Sequence, residues 1–153
     1  MSVEVLNETE ADFDEAEFAE LGRFVLDKLN VHPEAELVIS FIEPEAMAEL
    51  HERFLDEPGP TDVLSFPMDE LRPGRDGSPS EAGILGDVVI CPEVAAGRAR
   101  QLKHNLTDEM LVLAVHGILH LLGFDHATPA EQDLMFALQH DLAVTYFASR
   151  PDR

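Results

Sequence analysis

An α+β fold, a small mixed β-sheet of about four strands packed with helices, follows from two features of this sequence. Short segments of alternating or β-branched character all fall before position 91, and the remainder is dominated by long segments with apolar residues at helical spacing. At 153 residues, 45% of them hydrophobic, the chain has the length and composition of one globular domain over 1–153.

The elements can be taken in order. Ser2 to Leu6 alternates polar and apolar residues, as an edge or half-buried strand does. From Asp14 to Leu29, Phe18, Leu21, Phe24, Val25 and Leu29 recur at helical spacing, and Asp12 or Asp14 can cap the first turn. Leu37 to Ile42 is rich in β-branched residues, and Pro44 is well placed to open a helix that runs to about Phe54. Asp62 to Phe66 and Ile84 to Ile90 read as further strands. Helices are expected over Val94–Gln101, Asp108–Leu122 and Pro129–Phe147. Arg72 to Gly83 is rich in Gly, Pro and Ser with no apolar period; so long a connection is either surface disorder or a segment arching over a site.

Charge is the unusual quantity: 31 acidic residues against 10 Lys and Arg, a formal −21. Glu8, Glu10, Asp12, Asp14, Glu15, Glu17 and Glu20 place much of it near the N-terminus, as a solvated helix face or a docking surface for a basic protein. Cys91 is the sole cysteine, so no intrachain disulfide can form; at the end of an apolar strand it reads as a small core residue in a reducing, cytoplasmic protein. Met1 to Glu10 lacks the basic and apolar regions of a signal peptide, and Leu111 to Val115 is too short to span a bilayer. No membrane partner is expected.

The chemistry concentrates in residues 116–126, His-Gly-Ile-Leu-His-Leu-Leu-Gly-Phe-Asp-His. His116 and His120, four apart, project from one face of a helix, one turn above the other. Gly123 lets the chain leave that helix through a left-handed conformation and carry His126 back toward the same point. Three imidazoles with an open fourth position describe a catalytic site for one zinc ion, on a zincin-like metal helix near the C-terminal half. Zinc so held lowers the pKa of its bound water and polarises phosphoryl oxygens; beyond that water, the sequence names no catalytic group. Asp125 either orients an imidazole N–H or bonds the turn backbone. His32, His51, His104 and His140 have no spacing that recruits them and read as structural or solvent-facing.

The spacing also matches the zinc-peptidase pattern H-E-x-x-H-x-x-G-x-x-H at every position but one. Gly117 stands where those enzymes carry the glutamate that takes a proton from zinc-bound water. Peptide hydrolysis by that route lacks its base.

Residues 116–126 resemble the H-G-x-L-H-L-x-G-[YF]-D-H signature of the YbeY family of bacterial endoribonucleases. Gly59-Pro60-Thr61-Asp62-Val63-Leu64-Ser65-Phe66-Pro67 is similar to that family's P-T-D-V-L-S-F-P stretch, and Leu85-Gly86-Asp87-Val88-Val89-Ile90-Cys91 to its L-G-D-I strand. The blocks occur in the family's order, and the resemblance runs from about Val3 to Tyr146. It implies a zinc-dependent endoribonuclease that favours single strands and acts in ribosomal RNA maturation and ribosome quality control. The implied partners are ribosomal RNA and ribosomal particles or assembly proteins, not DNA.

One position departs from the family. An Arg implicated in handling the RNA phosphate usually follows the aromatic residue upstream of P-T-D-V, and here Phe54 is followed by Leu55. Arg53 is the nearest guanidinium, but two residues on a helix turn it by about 200°, so it replaces the missing group only if the helix has already ended. Arg98, Arg100, Lys103 and His104 form the best basic cluster, either a surface helix end or a phosphate track, which makes Arg100 and Lys103 candidates beside Arg53 for substrate binding. Two alternatives stay open: a zinc metallopeptidase, and a non-catalytic ribosome assembly factor whose metal is structural.

Overall fold

Asp14, Asn105 and Thr128 each accept a backbone N–H with their side chains, from Ala16, Asp108 and Glu131, and so set where three helices begin. The computed structural model describes residues 2–150. Its strands are β1 (Ser2–Asn7), β2 (Glu36–Phe41), β3 (Val63–Pro67) and β4 (Ile84–Ile90). Its helices are α1 (Glu15–Lys28), α2 (Pro44–Leu55), α3 (Pro92–Leu102), α4 (Leu106–Leu121) and α5 (Pro129–Ser149). Proline opens α2, α3 and α5, where its missing N–H would have had no intrahelical partner. The α+β class and the four-stranded mixed sheet are as the sequence predicts.

The strands lie in the order β1-β2-β4-β3. β1, β2 and β4 run parallel, and β3 closes one edge antiparallel to β4. Alternation along the strands sorts their side chains onto two faces. Leu37, Ile39, Phe41, Leu85, Val88 and Ile90 join the main core with residues of α1, α4 and α5, while Leu64 and Val89 pack with Met47 of α2 on the other face. Cys91 is buried beside them. α4 touches β3, β4, α1, α3 and α5, which accounts for a helix that is apolar nearly all round.

Two expectations change on folding. The Arg72–Gly83 connection is pinned rather than loose: Gly74 N–H donates to Leu29 O (2.9 Å), Ser80 N–H to Asn30 O (3.0 Å) and His32 N–H to Ser80 Oγ (3.1 Å). These bonds hold it against the turn between α1 and β2. Glu17 does not belong to the solvated acidic face, since it is 1% exposed. Tyr146 donates its hydroxyl to Glu17 Oε2 (3.2 Å), and Arg150 donates Nε to the same oxygen (2.9 Å) and Nη2 to Asp108 Oδ1 (2.7 Å). Burial and the Glu17 carboxylate push the Tyr146 hydroxyl up to about 12. These bonds tie the end of α5 to the starts of α1 and α4. Arg150→Ala leaves Glu17 without this charged partner and should cost about 3 kcal/mol, whereas Tyr146→Phe should cost only about 1 kcal/mol. Urea denaturation of the two variants checks the order; an Arg150→Ala protein as stable as wild type would contradict it.

Candidate metal centre and its cleft

The histidines are presented by a helix pressed unusually close to the sheet. Ser65 of β3 and Val88 of β4 are direct cross-strand partners, and both meet α4 at Gly117. A Cβ on Gly117 would stand 2.6 Å from Val88 Cγ1 and 3.1 Å from Ser65 Oγ, so a larger residue would have to displace the Val88 side chain. Ser65 Oγ also donates to the Gly117 carbonyl at 2.9 Å. Gly117 therefore does more than lack the peptidase's carboxylate. Its position points into Val88, where a glutamate has no room.

His116 and His120 lie one turn apart on the flank of α4 next to that contact, and Ser65 lines the same cleft as their rings. Their Nε2 atoms are 3.1 Å apart. Nitrogens bound to one tetrahedral zinc at about 2.0–2.1 Å sit roughly 3.3 Å from each other, so this is the closeness of two ligands. Gln139 of α5 accepts from His116 Nδ1–H at 2.8 Å, which leaves Nε2 as the free lone pair. One nitrogen from each of His116, His120 and His126 lies within 4.8 Å of the others, a group that could hold a metal ion. Burial lowers the pKa of both helical imidazoles. For His116, the Gln139 bond and Asp62 oppose that lowering and His126 adds to it; for His120, His116 and His126 add to it and Asp125 opposes it. Both are thus held toward the neutral state that metal binding requires.

The helix ends as Gly123 dictates. Gly123 has φ +96°, its N–H bonds His120 O (3.0 Å), and Phe124 N–H bonds Leu119 O (3.0 Å), the paired bonds of a Schellman cap. The reversal brings His126 beside the other two rings, 5.1 Å from His120 and 5.8 Å from His116 between centroids. Asp125 bonds the turn, with Oδ1 accepting from His126 N–H at 2.7 Å.

The three rings line a cleft of about 540 Å³ between α4 and the open edge of β3, and His51 and Leu55 of α2 complete its wall. His51, which no spacing singled out, is nearly buried there, with Nδ1 2.9 Å from Gly59 O and Nε2 3.1 Å from Glu57. α2 continues through Leu55, so Arg53 stays off the cleft and its guanidinium lies 5.8 Å from the Phe54 ring centroid. Arg100 and Lys103 line neither this cleft nor the grooves beside it, whereas Arg98 and His104 do line the groove on the far side of His116. The acidic start of α1 is remote: Glu17 reaches Arg150 beside Asp108, and eight residues of helix, about 12 Å, separate Asp108 from His116.

A family model described as endoribonuclease YbeY matches residues 4–146. The chain belongs to that family. An endoribonuclease YbeY from Beutenbergia cavernae is 63% identical over 150 residues, covering 98% of this chain and 100% of that protein. Another, from Thermobifida fusca, is 58% identical over 142 residues, 93% of this chain and 92% of that one. The solution structure of TM1509 from Thermotoga maritima superposes with a TM-score of 0.63 at 23% identity, covering 92% of this chain and 86% of that chain, and shows the same fold.

Within this YbeY-family site the turn at Gly123 is open to test. Gly123→Val meets both a φ of +96° and the Arg72 side chain, 2.6 Å from the added Cβ, whereas Gly77→Val meets a positive φ of +74° in open space far along the chain. Gly123→Val should weaken metal affinity by about 10-fold or more, the scale on which displaced support of a ligand acts, and Gly77→Val should leave it unchanged. Metal titration of the two folded variants measures this; equal affinities would contradict the role given to the turn.

Proposed function

We propose that this protein is a zinc-dependent endoribonuclease that favours single-stranded RNA and acts in the cytoplasm in ribosomal RNA maturation and ribosome quality control. The observation that carries the reading is the convergence of His116, His120 and His126 on one open cleft, in a chain of the endoribonuclease YbeY family. Three imidazoles, each with a nitrogen within 4.8 Å of the others, suit one zinc ion. When bound, zinc supplies a Lewis acid for phosphoryl oxygens and lowers the pKa of water.

The chain's own residues do the rest. Gln139 sets the tautomer of His116, and Asp125 holds the turn that presents His126. Asp62 is the one carboxylate in the lining of the cleft among the described residues, and its charge is felt at His116. It is the proton acceptor available to this cleft in place of the glutamate that Gly117 excludes. Among the described residues β3 pairs on one side only, so its other edge offers backbone groups to an RNA strand lying over the histidines. Arg53, Arg100 and Lys103, off the cleft, are left a long-range part in attracting phosphates. At −21 overall the chain does not gather RNA by charge alone, which favours delivery by ribosomal particles or assembly proteins. No helix among the described residues is long and apolar enough to cross a membrane.

Cleavage assays with one zinc-loaded preparation test the reading against its alternatives. Single-stranded RNA should be cut, and chelation or His116→Ala should abolish the cutting; single-stranded DNA and casein should remain intact. Casein hydrolysis would instead point to a peptidase. No RNA cleavage, with association to ribosomal particles that survives loss of the histidines, would point to an assembly factor.

A further inference from the structure

We propose a nucleotide subsite in the groove on the far side of His116, where Phe136 stacks on an unpaired base and Arg98 engages an adjoining phosphate. It rests on the endoribonuclease reading and says where the strand goes after it leaves the histidines. The groove, of about 360 Å³, shares Asp62, Val63 and His116 with the histidine cleft, so the two are continuous. Among the described residues no Arg or Lys lines the histidine cleft itself, and Leu55 stands in its wall. Arg98 lines both grooves that continue from it.

The groove joins the parts that a single-stranded nucleotide needs. Phe136 is 40% exposed on α5 although its neighbour Met135 is fully buried, and it lies three residues before Gln139 on the helix face toward His116. Its ring is nearly parallel to His126 (14°, centroids 6.2 Å) and His116 (24°, 6.1 Å), which extends the aromatic surface beyond the metal centre. Aromatic faces of this kind hold unpaired bases without regard to sequence. Arg98 and His104 are held at the rim by Glu109, whose carboxylate is 6% exposed and lies 3.8 Å from Arg98 Nε and 3.4 Å from His104 Nδ1. A carboxylate so buried needs charged or hydrogen-bonding partners, and Arg98 and His104 supply them while staying 61% and 52% exposed. The result is an exposed guanidinium and imidazole beside an aromatic wall, in a groove that Asp62 and Glu109 also line.

Steady-state cleavage of a short single-stranded oligoribonucleotide by the full-length, metal-loaded protein tests the subsite. Phe136→Leu should raise KM roughly tenfold with kcat little changed, and Phe136→Trp should restore it. Arg98→Gln should raise KM and reduce the slope of log affinity against log salt by about one. Metal content should stay at the wild-type level in all three. Leu134→Ala, exposed on α5 outside the groove, serves as the control with wild-type kinetics. Replacing one nucleotide of the substrate by an abasic residue should weaken wild type and leave Phe136→Leu unaffected. Wild-type KM in Phe136→Leu and Arg98→Gln, with RNA still cut, would overturn the subsite and leave the endoribonuclease reading standing. So would a loss of metal in Phe136→Leu, or a loss of ribosomal-particle binding with oligonucleotide KM unchanged. A wild-type protein that neither binds nor cuts RNA would overturn both.

Discussion

The close approach of α4 to the sheet at Gly117 is the constraint on which the site depends. With no side chain at that position, the helix backbone lies on the Ser65–Val88 pair, and the Ser65 hydroxyl bonds its carbonyl. That contact fixes both the height and the rotation of α4. Rotation then decides that His116 and His120 face the cleft, because they stand one residue before and three after the glycine on a 100° helical period. The same contact puts the Val88 side chain where a residue larger than glycine at 117, such as the glutamate of zinc peptidases, would have to go.

The acidic character of the chain is segregated in the same way. Glu17 and Asp108 are bound to Arg150 at the end of α4 remote from the histidines, where they fasten α5 in place. Glu109, one residue on, turns its carboxylate to the other side of α4 and organises Arg98 and His104 near His116. Net charge thus describes the molecule poorly at the scale of the cleft. Burying a few carboxylates against specific cations leaves a site whose lining is mainly imidazole, aromatic and neutral.

Local signals were legible in the sequence, and long-range ones were not. Helical period, proline at helix starts and capping side chains place the elements to within a few residues, because each depends on neighbours in the chain. The histidine triad and the turn at Gly123 were readable for the same reason, since one helix and the turn that follows it contain all of it. Gln139 and Phe136 carry no such mark: they reach His116 from α5, 20 or more residues on, and in sequence they look like any helix residues. His51 joins the cleft through the packing of α2, and Ser65 finds Gly117 only because β3 takes the sheet edge. Glu17 read as one more solvated acid because Arg150, its partner, lies at the far end of the chain. The part given to Arg53 turned on where α2 ends, a matter of one turn of helix that propensity alone does not resolve.

The central claim is that one zinc ion is held by the three imidazoles that α4 and its cap bring together. Diffraction from crystals of the zinc-loaded protein, recorded above and below the zinc absorption edge, tests it most directly. The predicted result is a single anomalous peak about 2.0–2.1 Å from one nitrogen of each of His116, His120 and His126. A peak elsewhere on the molecule, or none in the cleft of the zinc-loaded protein, would contradict it.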